Sequence, residues 1–197
     1  MKKTGWIILI AVLVLLFIIF SWFKGTYNTM VTKSEKVNEK WAQVENVYQR
    51  RADLIPNLVN TVKGYAAHEK ETLQSVIEAR AKATSVNIDA SNLNAQNLQA
   101  FQAAQSGLSQ ALSKLMVVVE KYPELKANQN FLELQSQLEG TENRIAIERK
   151  RFNEATREYN TYIKMFPKNI IAGMFGFTKK PYFKAEGGAE KAPEVKF

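Results

Sequence analysis

The feature that most constrains this chain is an apolar run close to its N-terminus. The nineteen residues from Gly5 to Phe23 include no charged side chain. As an α-helix this run would measure about 28 Å, close to the ~30 Å thickness of the hydrocarbon core of a bilayer. A backbone in lipid must satisfy its own hydrogen bonds, so a helix is the form expected there. The run therefore predicts a transmembrane anchor within residues 1–25.

A cleaved signal peptide is the alternative interpretation of this run. The apolar region of a signal peptide is shorter, about 7–15 residues, and small residues precede its cleavage site. Here the run ends in Ser21-Trp22-Phe23, so we expect an uncleaved, single-pass anchor. The positive charges on the two flanks are nearly balanced. Lys2 and Lys3 lie close before the run, and they favour a cytosolic N-terminus with the bulk of the chain outside the cytosol.

Composition excludes several classes of function. The chain has 197 residues, no cysteine and one histidine, His68. A disulfide scaffold, a thiol nucleophile and a multi-histidine metal site are therefore excluded. The net charge of +8 is distributed over segments of mixed sign, which argues against a nucleic-acid surface. We expect no cofactor and no enzymatic activity, because nothing in the sequence resembles a nucleophile with its base.

Beyond the anchor the hydrophobic pattern predicts helix nearly throughout. From Thr26 to Thr84 the apolar residues are spaced alternately by about three and four, as on one face of a packed helix. Turn-forming residues from Thr84 to Asn92 predict a loop. Two further helices are predicted over 93–121 and 123–166. The last of these has a coiled-coil-like stripe at every seventh position: Phe131, Leu138, Ile145, Phe152, Tyr159 and Phe166.

Four residues mark the expected joints between helices: Asp53, Pro56, Pro123 and Pro167. A turn at Asp53–Pro56, with Asp53 as N-cap and Pro56 in the first turn, would give four segments of comparable length. Such segments form an antiparallel up-and-down bundle. The heptad phase survives Pro56, so three long helices, the first kinked at Pro56, are the alternative. We therefore predict an all-α protein with a four-helix bundle over residues 26–168.

The chain beyond Pro167 divides into two parts. Residues 169–183 are mostly apolar but too few to cross a bilayer. This segment could cover the end of the bundle, lie at the membrane interface or dock on another copy; we favour the membrane side, which a four-segment bundle predicts. Residues 184–197 are small, charged and contain glycine, and they are expected to be a disordered tail.

Three charged residues lie on or beside the predicted helix seams, the apolar faces by which the helices pack against one another. Glu142 and Arg149 lie seven residues apart on or beside the seam of the last helix, and Arg51 falls on the seam of the first. A buried charge is tolerated only when it is paired, because its desolvation is costly. We predict a polar layer of Arg51, Glu142 and Arg149 that fixes the register of the helices. A polar ligand site is the alternative.

Apolar residues also flank the seams, as Leu54, Leu134, Tyr162 and Ile163 do. A helix with more than one apolar face needs more than one neighbour. The pattern therefore predicts self-association into a homo-oligomer.

Three stretches are unusual for a plain helical bundle: Arg50–Val59; Tyr122–Asn128 followed by Asn130-Phe131; and Thr141–Ala146 followed by Arg151-Phe152-Asn153 and Tyr159-Asn160. Together they closely resemble the LemA family of bacterial envelope proteins. The resemblance extends from the anchor to about Phe177, with one departure at Phe152, where the family usually has tyrosine. It implies a single N-terminal membrane anchor, an antiparallel four-helix bundle and no established catalytic activity.

We therefore expect a non-enzymatic scaffold or interaction protein in the bacterial cell membrane. Its expected partners are membrane lipid, other copies of the chain and an unidentified protein, but no nucleic acid. The alternative is a sensor or adaptor that binds a ligand within the bundle. An internal cavity beside Arg51 and Glu142 would favour the sensor, whereas a dry, ion-paired layer would favour the scaffold.

Overall fold

The computed structural model describes residues 2–184, which are mostly helical and include no strand. The expected disordered tail lies outside the described residues, except for Lys184. The helices are α1 (Lys2–Tyr65), α2 (Lys70–Ser85), α3 (Ala95–Val119), α4 (Pro123–Lys126), α5 (Gln129–Lys164) and α6 (Lys168–Met174), and a short 3₁₀ turn covers Ala90–Asn92.

The helix α1 combines the apolar run with the first seam. By length and composition it is long and apolar enough to cross a membrane, and the side chains of its apolar run are almost all exposed. From Met30 onward its seam residues are buried, including Val37, Trp41 and Val44. One uninterrupted helix therefore contains both a candidate membrane span and a core-forming face.

The turn predicted at Asp53–Pro56 is wrong, because α1 continues through Pro56 to Tyr65. The chain first turns between Ala66 and Glu69, where the Glu69 N–H donates to the Ala66 carbonyl at 3.1 Å. Helix α1 thus continues through Pro56, as the alternative expects, but the first helix of the alternative would run on to Thr84, whereas α1 ends at Tyr65 and α2 is a separate helix.

Helix α1 passes through Pro56 with the help of a side chain from α2. Proline has no N–H to donate to the carbonyl four residues earlier, here that of Ala52. Arg80 supplies the missing donor: its Nε lies 2.7 Å from the Ala52 oxygen. The acceptor that proline leaves unpaired is thus satisfied from outside the helix.

The chain divides into two compact units, and α1 and α5 contribute to both. We call residues 2–39 and 154–180 the terminal unit, and residues 40–153 and 181–184 the central unit.

The core of the central unit draws on all four long helices. Helices α2 and α3 pack directly against each other. Full burial of each large aliphatic side chain contributes about 1.5–3 kcal/mol. The core residues are Ile55, Leu58, Val59 and Val62 of α1, Leu73, Val76 and Ala83 of α2, Leu108, Ala111, Leu115 and Val119 of α3, Leu125 of α4, and Phe131 and Leu138 of α5, with Ala66 from the first turn.

The helix predicted from Pro123 to Phe166 is interrupted near its start. Pro123 occupies the first turn of the four-residue α4, and α5 begins only at Gln129. Between them Asn128 caps α5, since its Oδ1 accepts from the Phe131 N–H at 3.1 Å. Helix α5 ends at Lys164, so the last stripe residue, Phe166, lies beyond it.

The terminal unit joins the first part of α1 to the end of α5 and to α6. Glu158 on α5 pairs with Lys33 at 3.5 Å and Lys36 at 3.2 Å. Pro167, after a cis peptide bond, directly precedes α6. Helix α6 ends at Met174 and is followed, after its C-cap Phe175, by Gly176 in the left-handed conformation (φ 73°), which glycine adopts without a steric cost.

Candidate functional site

Arg51 is the centre of the polar cluster in the central unit. Only 3% of its side chain is exposed, and its Nη1 lies 2.9 and 3.1 Å from the two carboxylate oxygens of Glu142. The same nitrogen is 3.0 Å from Ser109 Oγ, and Nη2 is 2.6 Å from Gln105 Oε1. The structure thus brings together two of the three predicted charges, and it adds two uncharged residues of α3.

Gln105 extends this network to the remaining long helix. Its buried side chain accepts from Arg51 and donates through Nε2 to the Ala83 carbonyl of α2 at 3.2 Å. Arg51 therefore links α1 to α3 and α5 directly, and to α2 through one amide. Side chains and a backbone carbonyl of four helices therefore meet in one hydrogen-bonded cluster.

The two partners of the ion pair differ in environment. The Glu142 side chain is 52% exposed, so the expectation that it is buried is wrong. On the other side of the guanidinium, Arg51 Nε is buried and has no hydrogen-bond partner. The cluster is therefore buried at Arg51 and open to solvent at Glu142.

Arg149 does not belong to this cluster. It lies two helical turns beyond Glu142, about 10 Å along α5. Its guanidinium stacks over the Phe183 ring at 5.0 Å, and Nη2 donates to the Lys184 carbonyl at 2.9 Å. Because Arg149 follows Glu142 by one heptad, it lies on the same side of α5 but beyond the cluster around Arg51.

A pocket of about 500 Å³ opens beside the ion pair. Its wall combines the apolar side chains of Leu112, Met116 and Leu138 with Arg51, Ser109, Ser113, Glu139, Glu142 and Asn143. Two carboxylates and one guanidinium give this wall a net negative charge. The pocket therefore has the character of a site for an apolar group bearing a positive charge.

Two asparagines of α5 bind the C-terminal segment by its backbone, a role that the sequence analysis did not identify. Asn153 accepts from the Phe183 N–H at 2.9 Å and donates to the Phe183 carbonyl at 3.1 Å. Asn160 forms the same pair of bonds with Lys180, at 2.9 and 2.8 Å. Both asparagines belong to the family-like stretches, and their seven-residue separation was the signal available.

An aromatic cluster surrounds the anchored Phe183 in the central unit. Trp41 stacks on Phe183 with ring centres 5.9 Å apart, and it meets Phe101 and Phe152 edge to face at 5.2 and 5.7 Å. Its indole nitrogen donates to the Ile88 carbonyl at 3.3 Å. Phe152 is fully buried here, so a phenolic hydroxyl at this position would require a partner.

The carboxyl groups of Glu45 and Glu158 and the amine of Lys180 are among the ionisable groups whose pKa values are shifted by their surroundings. Burial raises the pKa of the Glu45 carboxyl, and the nearby Asp89 carboxylate adds to the effect. Lys36 and Lys33 lower the pKa of Glu158. Burial lowers the pKa of Lys180, against the opposing effect of Glu35. Within residues 2–184 no group of three or more metal-ligating side chains comes together.

The fold and the arginine-centred network define a class: an all-helical protein whose first helix carries a candidate membrane span and whose long helices share a buried arginine. Residues 40–197 match the model of the LemA family. The chain belongs to the LemA family, which confirms the resemblance seen in its sequence.

Similarity extends to curated relatives. Magnetosome proteins MamQ 1 and MamQ 2 of Paramagnetospirillum magneticum are each 30% identical over an alignment of 175 residues that covers 80% of this chain. Protein LemA of Metamycoplasma hominis is 20% identical over 163 residues, which are 83% of this chain and 71% of that protein. The chain spans 64% of the length of the two magnetosome relatives.

Proposed function

We propose that this chain is a single-pass, membrane-anchored helical scaffold of the bacterial envelope that binds partners through its helices and performs no catalysis. The observation that carries the proposal is α1 itself. One helix supplies both an exposed apolar run of bilayer length and core residues such as Trp41 and Ile55. An apolar surface of this size is stable when it is buried in lipid.

The proposal includes an antiparallel up-and-down bundle of α1, α2, α3 and α5. A shared core of side chains from these helices supports it, as does the Arg51 network. The short connection at 66–69 favours antiparallel neighbours. The proposed topology places the N-terminus in the cytosol and the bundle outside it, because Lys2 and Lys3 lie close before the apolar run.

Self-association, the second part of the proposal, needs a different surface from the one first expected. Leu54 and Leu134 pack against the core of their own chain, and Ile163 is buried. Exposed apolar side chains remain elsewhere in the central unit. They are Ile77 on α2, Val117 on α3, and Leu132 and Ile147 on α5.

A charge in the middle of the apolar run tests the anchor. Leu13→Arg should cost about 2.5–3.5 kcal/mol of insertion free energy and should reduce membrane retention in fractionated cells. The matched control is Val31→Arg, which alters an exposed position of the same helix beyond the run. Full retention of both Leu13→Arg and a deletion of residues 1–24 would contradict the anchor.

The pocket beside Arg51 favours a second candidate function, a sensor that binds a cationic amphiphile. Octylamine is a suitable probe, because the net negative wall suits its ammonium group and Leu112, Met116 and Leu138 suit its tail. We expect octylamine to raise the unfolding temperature of the full-length protein and octanol to have little effect. Leu112→Trp should fill the pocket and abolish the rise. No rise with octylamine would contradict this function.

A further inference from the structure

Helix α6 is buried on one face and exposes an apolar surface on the other. Ile171 and Ala172 are buried against the terminal unit, whereas Ile170 and Met174 are 55% and 68% exposed. Phe166, just before α6, is 81% exposed. Exposed apolar side chains grouped in this way are typical of a binding site for a protein or a membrane.

Contacts within the terminal unit connect this surface to the end of the apolar run of α1. The Phe175 ring lies 5.7 Å from Phe23 and 4.9 Å from Tyr27, edge to face in both cases. Phe177 adds a third contact, 5.6 Å from Tyr27. The segment after α6 is therefore held against α1 where its apolar run ends.

The length of the apolar run determines how deep in the bilayer these aromatic contacts lie. Since Gly5 to Phe23 measures about 28 Å as a helix, Phe23 lies close to the edge of the hydrocarbon core when the run spans a bilayer. Aromatic rings are favoured at this depth. Phe175 contacts Phe23 directly, so it lies in the same interfacial layer.

Basic side chains accompany the apolar surface. Lys24 follows the run directly, and Lys179 follows α6; both are exposed. Lys168 opens α6, with its Nζ 3.9 Å from the centre of the Tyr162 ring. Lysine side chains extend along an apolar surface and leave their charge among the lipid headgroups.

We propose that α6 is a second membrane contact: an interfacial segment whose exposed residues Phe166, Ile170, Met174 and Phe175 insert into the leaflet where the anchor ends. The exposed surface of α6 binds bilayer lipid rather than another protein, because it is held against the end of the apolar run of α1, which is long enough to span a bilayer. This inference rests on the proposed anchor. The segment attaches the chain to the membrane at a second point along the sequence; Ile170, for example, is 147 residues after Phe23.

The absence of cysteine makes a direct depth measurement practical. Full-length single-cysteine variants are labelled with the environment-sensitive dye NBD and reconstituted in phosphatidylcholine–phosphatidylglycerol vesicles containing lipids spin-labelled near the headgroup or deep in the chain. Met174→Cys reports the proposed contact, and Val12→Cys reports the centre of the anchor. Arg157→Cys is the matched control. This position is next to Glu158, whose salt-bridge partner Lys33 lies about 15 Å beyond Phe23 along α1.

We expect the label at Met174→Cys to show blue-shifted emission and several-fold stronger quenching by the shallow spin label than the label at Arg157→Cys. The label at Val12→Cys should be quenched by the deep spin label, and failure there would overturn the anchor itself. Quenching at Val12→Cys with water-like emission at Met174→Cys would overturn only the interfacial contact. Disulfide crosslinking between two copies of the unlabelled Met174→Cys variant, together with no lipid quenching of the labelled one, would also overturn it and assign the surface to another copy.

Discussion

At the scale of single residues, the Arg51 network is stabilised more by a neutral amide than by its ionic partner. Glu142 is half exposed, and water can replace it at the open side of the guanidinium. Gln105 is buried, and loss of its amide strands the Ala83 carbonyl and removes the shorter of two hydrogen bonds from Arg51 Nη2, which keeps only the Gln105 backbone carbonyl at 3.3 Å. A buried group left without its partner costs about 1–3 kcal/mol.

We therefore predict that Gln105→Leu destabilises the protein more than Glu142→Ala. Glu142→Ala should cost about 1 kcal/mol, below the ~3–5 kcal/mol expected for breaking a fully buried pair. Gln105→Leu should cost about 2–4 kcal/mol, because two buried groups lose a partner. Urea unfolding of the Tyr27–Phe197 fragment measures both. A greater loss for Glu142→Ala would contradict the network as described.

The asparagine pair permits a second residue-scale prediction, with each position serving as control for the other. Asn153→Ala removes the two bonds to the Phe183 backbone, and Asn160→Ala removes the two bonds to Lys180. We expect Asn153→Ala to accelerate amide hydrogen exchange at Phe183 more than at Lys180, and Asn160→Ala to do the reverse. Equal acceleration at both amides in either variant would contradict separate roles.

At the scale of elements, the behaviour of α1 at Pro56 depends on Arg80. The Arg80 bond to the Ala52 carbonyl matters because proline leaves that carbonyl without its intrahelical donor. Restoring the backbone N–H should make the arginine dispensable. The two substitutions are therefore expected to be coupled.

We predict that Arg80→Met costs about 1–2 kcal/mol in the wild-type background and close to zero in a Pro56→Ala background. A double-mutant cycle of unfolding free energies measures the coupling. Additive effects would mean that the Arg80 bond does not compensate for the proline.

The same element shows why sequence reasoning predicted the helices better than their joints. The spacing of apolar residues is a local signal, and it correctly predicted helix on both sides of Pro56. The consequence of Pro56 depends on Arg80, a donor 28 residues after the Ala52 carbonyl that it satisfies, and no local pattern locates such a donor. The real turn at Ala66–Glu69 contains no proline, and it was missed for that reason.

The polar cluster, too, could be predicted from the sequence only in part. Helix phase placed Arg51 and Glu142 on facing seams, and the structure brings them together. Gln105 lies between Phe101 and Leu108 on the buried face of α3, so its spacing could have identified it. The exposure of Glu142 could not be predicted, because it depends on how closely α3 and α5 approach at the pocket.

At the scale of the whole molecule, the remaining question is which surface would bring copies together. Val117 is the most exposed large apolar residue described in the central unit, at 67%. A lysine there keeps the helix but removes a favourable apolar contact and introduces mutual repulsion between copies. Gln110, one heptad earlier on α3 and also exposed, provides the matched control position.

We predict that the detergent-extracted full-length protein and the Tyr27–Phe197 fragment both have masses above those of their monomers. The monomer mass of the full chain is 22.4 kDa. Light scattering coupled to size exclusion, with the detergent contribution subtracted, measures both. Val117→Lys should shift the fragment toward monomer because it charges the apolar surface, whereas Gln110→Lys should not. An assembled full-length protein with a monomeric fragment would assign assembly to the anchor, and two monomers would contradict self-association.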